Sequence, residues 1–175
     1  MLKRIAIAAL VAILIAPAAT LGQTRSRSSR PRPSSSAAAA QKASAARTAG
    51  ATRVADQIKF LTRFIYLLGG VTSGIAAVDE AAKRNEASPA MVQQNQQSKA
   101  RVRTSIQGFR ESLDKLEIDF RATPELQPYY IKLAGVAAGA AAAEEQAAAS
   151  QFDASGRSLL NVISRLADVL VVMRQ

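Results

Sequence analysis

Cysteine, histidine and tryptophan are absent from this 175-residue chain, and only three tyrosines and five phenylalanines are present. Each absence removes a chemistry. Without cysteine there is no disulfide and no thiol nucleophile. Without cysteine and histidine there is no thiolate or imidazole metal site and no Ser-His-Asp triad. The di-iron arrangement of helical bundles relies on Glu-x-x-His and goes with the histidines. No phosphate-cradling loop of the G-x-x-x-x-G-K type occurs. The adjacent carboxylates Asp79-Glu80 and Glu144-Glu145 fall on different faces of a helix, so neither makes a tuned acid pair. We therefore expect no catalytic residue, no cofactor and no metal, and a protein that is not an enzyme.

Acidic residues are missing from the first 53 positions. That stretch carries nine basic residues: Lys3, Arg4, Arg25, Arg27, Arg30, Arg32, Lys42, Arg47 and Arg53. The remainder holds the other 14 basic residues (23 − 9) and all 13 acidic ones, a net charge of +1 against +10 for the whole chain. The basic excess thus belongs to an N-terminal arm, and the rest does not have the charge of a nucleic-acid-binding domain.

Lys3 and Arg4, the apolar run Ile5 to Ile15 and the small residues up to Gly22 have the order of a secretory signal. Residues 1–22 are read as a signal peptide, cleaved before Ala19 or so as to leave Gln23 first. The alternative is an uncleaved anchor over residues 5–24, because four arginines follow the apolar run closely. Either reading implies export, to a periplasm or to the outside.

Residues 23–53 read as a disordered linker. Gln23 to Ser36 is Ser, Arg and Pro without a large apolar side chain, and Ala37 to Ala51 lacks a stripe to dock, which predicts at most a frayed helix. Arg25, Arg27, Arg30 and Arg32 are the candidate contacts to a polyanion or an anionic surface. No aromatic is interleaved with them, so specific nucleic-acid recognition is not expected.

Residues 54–175 are expected to form an all-α, antiparallel up-down helical bundle. Val54, Ile58, Leu61, Ile65, Leu68, Thr72, Ile75 and Asp79 recur in the four-and-three steps of a coiled-coil seam. A second stripe, Phe60, Phe64, Leu67, Val71 and Val78, suits a second neighbour. Ser88-Pro89 reads as an N-cap with proline in the first turn. The next seam is Val92, Asn95, Lys99, Val102, Ile106, Phe109, Leu113, Leu116 and Phe120. Pairing the two seams antiparallel gives position numbers that always add to 174, with the turn at Ala87. That register brings Asp79 to Asn95, with Lys99 one turn away. Glu111 to Lys115 and Glu117 to Arg121 are read as exposed i,i+4 pairs.

Thr123-Pro124 predicts a third helix, rich in alanine, and Asp153 the N-cap of a fourth with a seam at Leu159, Ile163, Leu166, Leu170 and Met173. The alternative is three helices with the last one kinked. Gly70/Gly74 and Gly135/Gly139 have small-xxx-small spacing and predict close packing of the first helix on the third. The Gly/Ala-rich faces of these helices are the candidate interaction surface, for a protein partner or a second copy. A kink at Gly69-Gly70 opening a cavity for a small apolar ligand is a weaker alternative. Phe64 to Val78 is uncharged but too short to span a bilayer, so no transmembrane segment is expected in the bundle.

Overall fold

The computed structural model describes residues 35–175, and the expected signal segment (1–22) and the candidate contacts Arg25 to Arg32 lie outside them. The described residues form helices α1 (Ser35–Lys83), α2 (Pro89–Ala122), α3 (Gln127–Leu133), α4 (Val136–Ala148) and α5 (Phe152–Met173). They make four rods of an antiparallel bundle, the third rod being broken into α3 and α4. α1 packs on α2 and α5, and α4 packs on the same two, so α1 and α4 stand at opposite corners. The chain reverses at Ser150, whose φ of 61° ends α4, so the kinked three-helix alternative is not adopted.

The heptad seams form the core. Val54, Leu61, Leu68 and Ile75 of α1 are buried with Val102, Ile106, Leu113, Leu116 and Phe120 of α2. Each fully buried leucine among them contributes about 1.5–3 kcal/mol. α5 adds Leu159, Val162, Leu166, Val169 and Met173, so two inner positions sit one residue before the expected Ile163 and Leu170, which are half-buried.

The α1–α2 hairpin has the expected turn. The Ser88 hydroxyl accepts from Met91 N at 3.3 Å, and Pro89 opens α2. Asn95 Nδ2 donates to Asp79 Oδ1 at 2.7 Å and to the Ile75 carbonyl at 3.3 Å. Lys99 Nζ donates to the same Asp79 oxygen at 2.7 Å. Asn95 and Lys99 are buried, and this layer forms only in one register.

Three expectations need correction. First, residues 35–53 are not a disordered linker: α1 starts at Ser35, 19 positions before Val54. An existing helix elongates at one hydrogen bond per residue, and alanine has the best propensity, so no apolar stripe is needed. Gly50 is buried against Leu126 and Met173, and Lys42 Nζ binds Glu125 Oε1 at 2.8 Å. Second, Glu117 does not pair with Arg121 on an exposed face. Its Oε1 accepts from Gly135 N at 3.0 Å and Ala137 N at 2.8 Å, capping the start of α4. Third, Thr123 ends α2 rather than starting a helix, and Asp153 lies in the first turn of α5 after Gln151, which makes no side-chain cap.

α4 has little to bury: Val136, Ala140, Ala143 and Ala147 are its inner residues. Polar ties from α2 compensate. At its N-terminus stands the Glu117 carboxylate. Midway, Arg110 Nε is 2.6 Å from Glu144 Oε2. At its C-terminus Arg103 donates to the Ala147 carbonyl at 3.1 Å and to Ser150 Oγ at 3.0 Å. Acid at the start and cation at the end both match the helix dipole. From α5, buried Ser155 donates to the Ala143 carbonyl at 2.8 Å.

Three outcomes follow. Asp79→Ala strands the Lys99 ammonium, whose side chain is 11% exposed, and is expected to cost about 1–3 kcal/mol, less than a fully buried pair because Asp79 is 38% exposed. Combining Asp79→Leu with Lys99→Met restores most of this in urea denaturation; equal loss in both variants would show that the two residues are not coupled. Glu117→Ala removes two capping bonds and is expected to cost about 1–2 kcal/mol, with faster amide exchange concentrated at the start of α4. The hydrogen bond from Lys42 holds the Glu125 carboxyl below its ordinary value, and the same bond raises Lys42. The Glu125 contribution is present above its unfolded pKa and is lost as pH falls through the lowered folded one. The Lys42 contribution is present below its unfolded pKa and is lost as pH rises through the raised one. Amide exchange near position 42, corrected for its intrinsic pH dependence, should therefore slow on leaving the acid range. Lys42→Met should abolish that change.

Candidate functional site: the outer face of α1

α1 carries a second apolar stripe beside its core seam, and the structure leaves most of it uncovered. Phe60 is 59% exposed, Leu67 56% and Val71 41%, with Phe64 and Val78 half-buried. The stripe was expected to meet a second helix. That neighbour is α5, but it lies on the opposite flank, where Thr72 and Ala76 face Phe152 and Ala154. The sequence marks two apolar flanks on α1, and the bundle covers only one.

The uncovered flank borders a continuous groove between α1 and α2. One part, about 300 Å³, runs from Phe64 and Leu67 across to Val102 and Ser105. The next, about 360 Å³, runs past Gly70 and Gly74 to Met91 and Asn95. The two share Val71 and Ser98. Phe64 lines one end of the groove and packs on Phe109, with ring centroids 5.0 Å apart. Arg101 is the one charged residue lining it, and Arg63 lies on the adjoining face of α1. No carboxylate pairs with either arginine among the described residues. α1 holds an 18-residue stretch long and apolar enough to cross a membrane by length and composition, yet only 17% of it is buried in the bundle. Arg63 and the core seam belong to the same helix.

The glycine pairs separate. Gly139 is a packing residue: a Cβ there would stand 2.8 Å from Val162 Cγ2, so its absence lets α5 approach α4. Gly135 breaks the third rod with φ of 91°, in the left-handed region that favours glycine. Both are therefore used inside the bundle, α4 against α5, and not between the first and third rods. Gly70 and Gly74 are different. A Cβ at 69, 70 or 74 would meet nothing within 4 Å, and α1 runs through all three without interruption. An exposed glycine in a helix interior costs about 1 kcal/mol against alanine. Nothing within the bundle requires it here.

The remaining candidates are structural. Gln93, Gln94, Gln96 and Gln97 are exposed around buried Asn95. Tyr129 and Tyr130 pack on the core. Among the described residues no group of three metal-ligating side chains occurs. Glu80, at the end of the α1 face, accepts from Lys83 Nζ at 2.7 Å, which lowers its carboxyl and raises the lysine. The uncovered flank of α1 carried two signals in the sequence, its apolar spacing and its glycines; only the structure shows that they share an outer surface. Comparison with protein families, with curated proteins and with solved structures finds no match to this chain.

Proposed function

We propose that this chain is an exported helical-bundle protein that works without catalysis, by presenting the outer face of α1 to a protein partner. The observation carrying this reading is the run of exposed large apolar side chains, Phe60, Tyr66, Leu67 and Val71, on one helix of an otherwise well-filled bundle. Ten large hydrophobics are exposed among the described residues, and these four lie within 12 positions of α1, with Met91 of α2 across the groove from Val71. Single exposed apolar residues are ordinary, whereas a contiguous patch marks a contact surface. Glycines that the bundle itself does not need strengthen the reading, since small residues let another backbone come close. Export is supported by the basic start and the apolar run of the first 22 residues, a composition that fits a signal sequence or a membrane anchor.

The test is to replace Leu67 and Val71 together by glutamate in the protein purified as the cell produces it. Both side chains lie outside the core, so the helical circular dichroism and the melting temperature should change little. Association measured by cross-linking in the cell envelope should fall by about 10-fold or more. Unchanged association would sink the reading. Binding to anionic vesicles or polymers that survives this change, and is lost on replacing Arg25, Arg27, Arg30 and Arg32 by serine, would favour a tether through the basic arm instead.

A further inference from the structure

We infer that the partner of the α1 face is a second copy of this chain, crossing antiparallel at Gly70 and Gly74. This deepens the proposed function and rests on it.

The shape of the face selects a helix. Its middle is the line Arg63, Gly70, Gly74, Ala77, with Leu67 and Phe60 on one side and Tyr66 on the other. The centre therefore has almost no side chain, and the bulk stands along the margins. A lipid surface would find its fewest apolar groups where contact is deepest. A second helix would place its ridge in that depression, with the marginal residues closing around it. Open space at Gly70 and Gly74 is what such a crossing needs.

Charge selects the second copy and its direction. The N-terminal end of the face carries Asp56, paired with Lys59 at 3.1 Å, and Arg63, which has no such partner among the described residues; the C-terminal end carries Glu80 and Glu86, paired with Lys83 and Arg84. Turning α1 about the midpoint of Gly70 and Gly74 sets Gly70 against Gly74 of the second copy and Leu67 against Ala77 of the second copy. Arg63 then falls beside Glu80 of the second copy. Both are exposed, and Arg63 has no carboxylate in its own chain among the described residues. Glu80 leaves an exposed pair with Lys83, the kind of pair that gives little up. Symmetry makes the contact twice. A parallel pair would instead set Arg63 beside Arg63 and Glu80 beside Glu80. α1 stands at a corner of the bundle, so α2 and α5 do not obstruct the approach.

The chain has no cysteine, so introduced thiols report without background. Leu67→Cys and Ala77→Cys variants are prepared separately, mixed and oxidised. The mixed disulfide 67–77 should form in preference to 67–67, and dominance of 67–67 would overturn the antiparallel arrangement. Gly70→Ala with Gly74→Ala should weaken dimerisation about 10- to 100-fold in sedimentation equilibrium. At concentrations where the chain is monomeric, the same pair should raise the melting temperature by a few degrees, about 2–6 °C. Dimerisation unaffected by these changes would overturn the inference. So would a chain that stays monomeric up to about 100 μM. A monomer that still loses a different protein on the glutamate changes at 67 and 71 would refute the second copy and leave the broader reading standing. A monomer that instead binds anionic vesicles through this face would refute both.

Discussion

Register is the constraint on which this bundle depends. Two heptad seams of aliphatic residues can slide past one another by seven positions and still bury oil against oil. The Asp79–Asn95–Lys99 layer forbids that, because any slide strands a buried ammonium and a buried amide without partners. Once α1 and α2 are fixed relative to each other, the positions of Arg103, Arg110 and Glu117 along α2 are fixed too. Those three side chains in turn determine where α4 starts, where it ends and how it is oriented.

That chain of dependence explains how an alanine-rich segment is held in place. A helix whose inner surface is one valine and three alanines contributes little burial. Charge matched to both ends of its dipole and a glycine at its closest approach to α5 do what bulky side chains do elsewhere. The apolar surface thus saved on α4 contrasts with α1, which carries more apolar surface than its neighbours cover. Four of the ten exposed large hydrophobics among the described residues crowd within 12 positions of this one helix, and that density is what supports the proposed contact surface.

Much of the hairpin was legible in the sequence, because two independent signals converge: matched seams and a Ser-Pro cap. The 174 rule gives Asp79 to Asn95 directly, and the structure shows that hydrogen bond at 2.7 Å. The aromatic contact falls one position away, Phe109 meeting Phe64 while Ile65 is half-buried beside them. Three kinds of information were not legible. Spacing does not say whether a glycine pair faces inward, so Gly70/Gly74 and Gly135/Gly139 looked alike. Periodicity does not reveal elongation, so the alanine-rich start of α1 looked unstructured. An acid four positions before an arginine looks like an exposed pair, although Glu117 turns to a helix start 18 positions downstream. The glycine and Glu117 failures are tertiary choices overriding a local pattern, whereas the start of α1 is helix propagation from a docked segment.

The buried glycine of α1 has a topological consequence. Methyl groups of Leu126 and Met173 lie about 3 Å from where a Cβ on residue 50 would stand, at 3.0 and 3.1 Å. The first docked turn of α1, the α2–α3 corner and the last turn of α5 are thus gathered at one pole. Among the described residues the opposite pole holds the two tight reversals, around Asn85 and Ser150. The architecture is in effect a nearly closed loop of rods, so its connectivity could be cut at the Asn85 reversal and rejoined near residue 50 with the buried seams kept, at the loss of the Lys42–Glu125 ion pair.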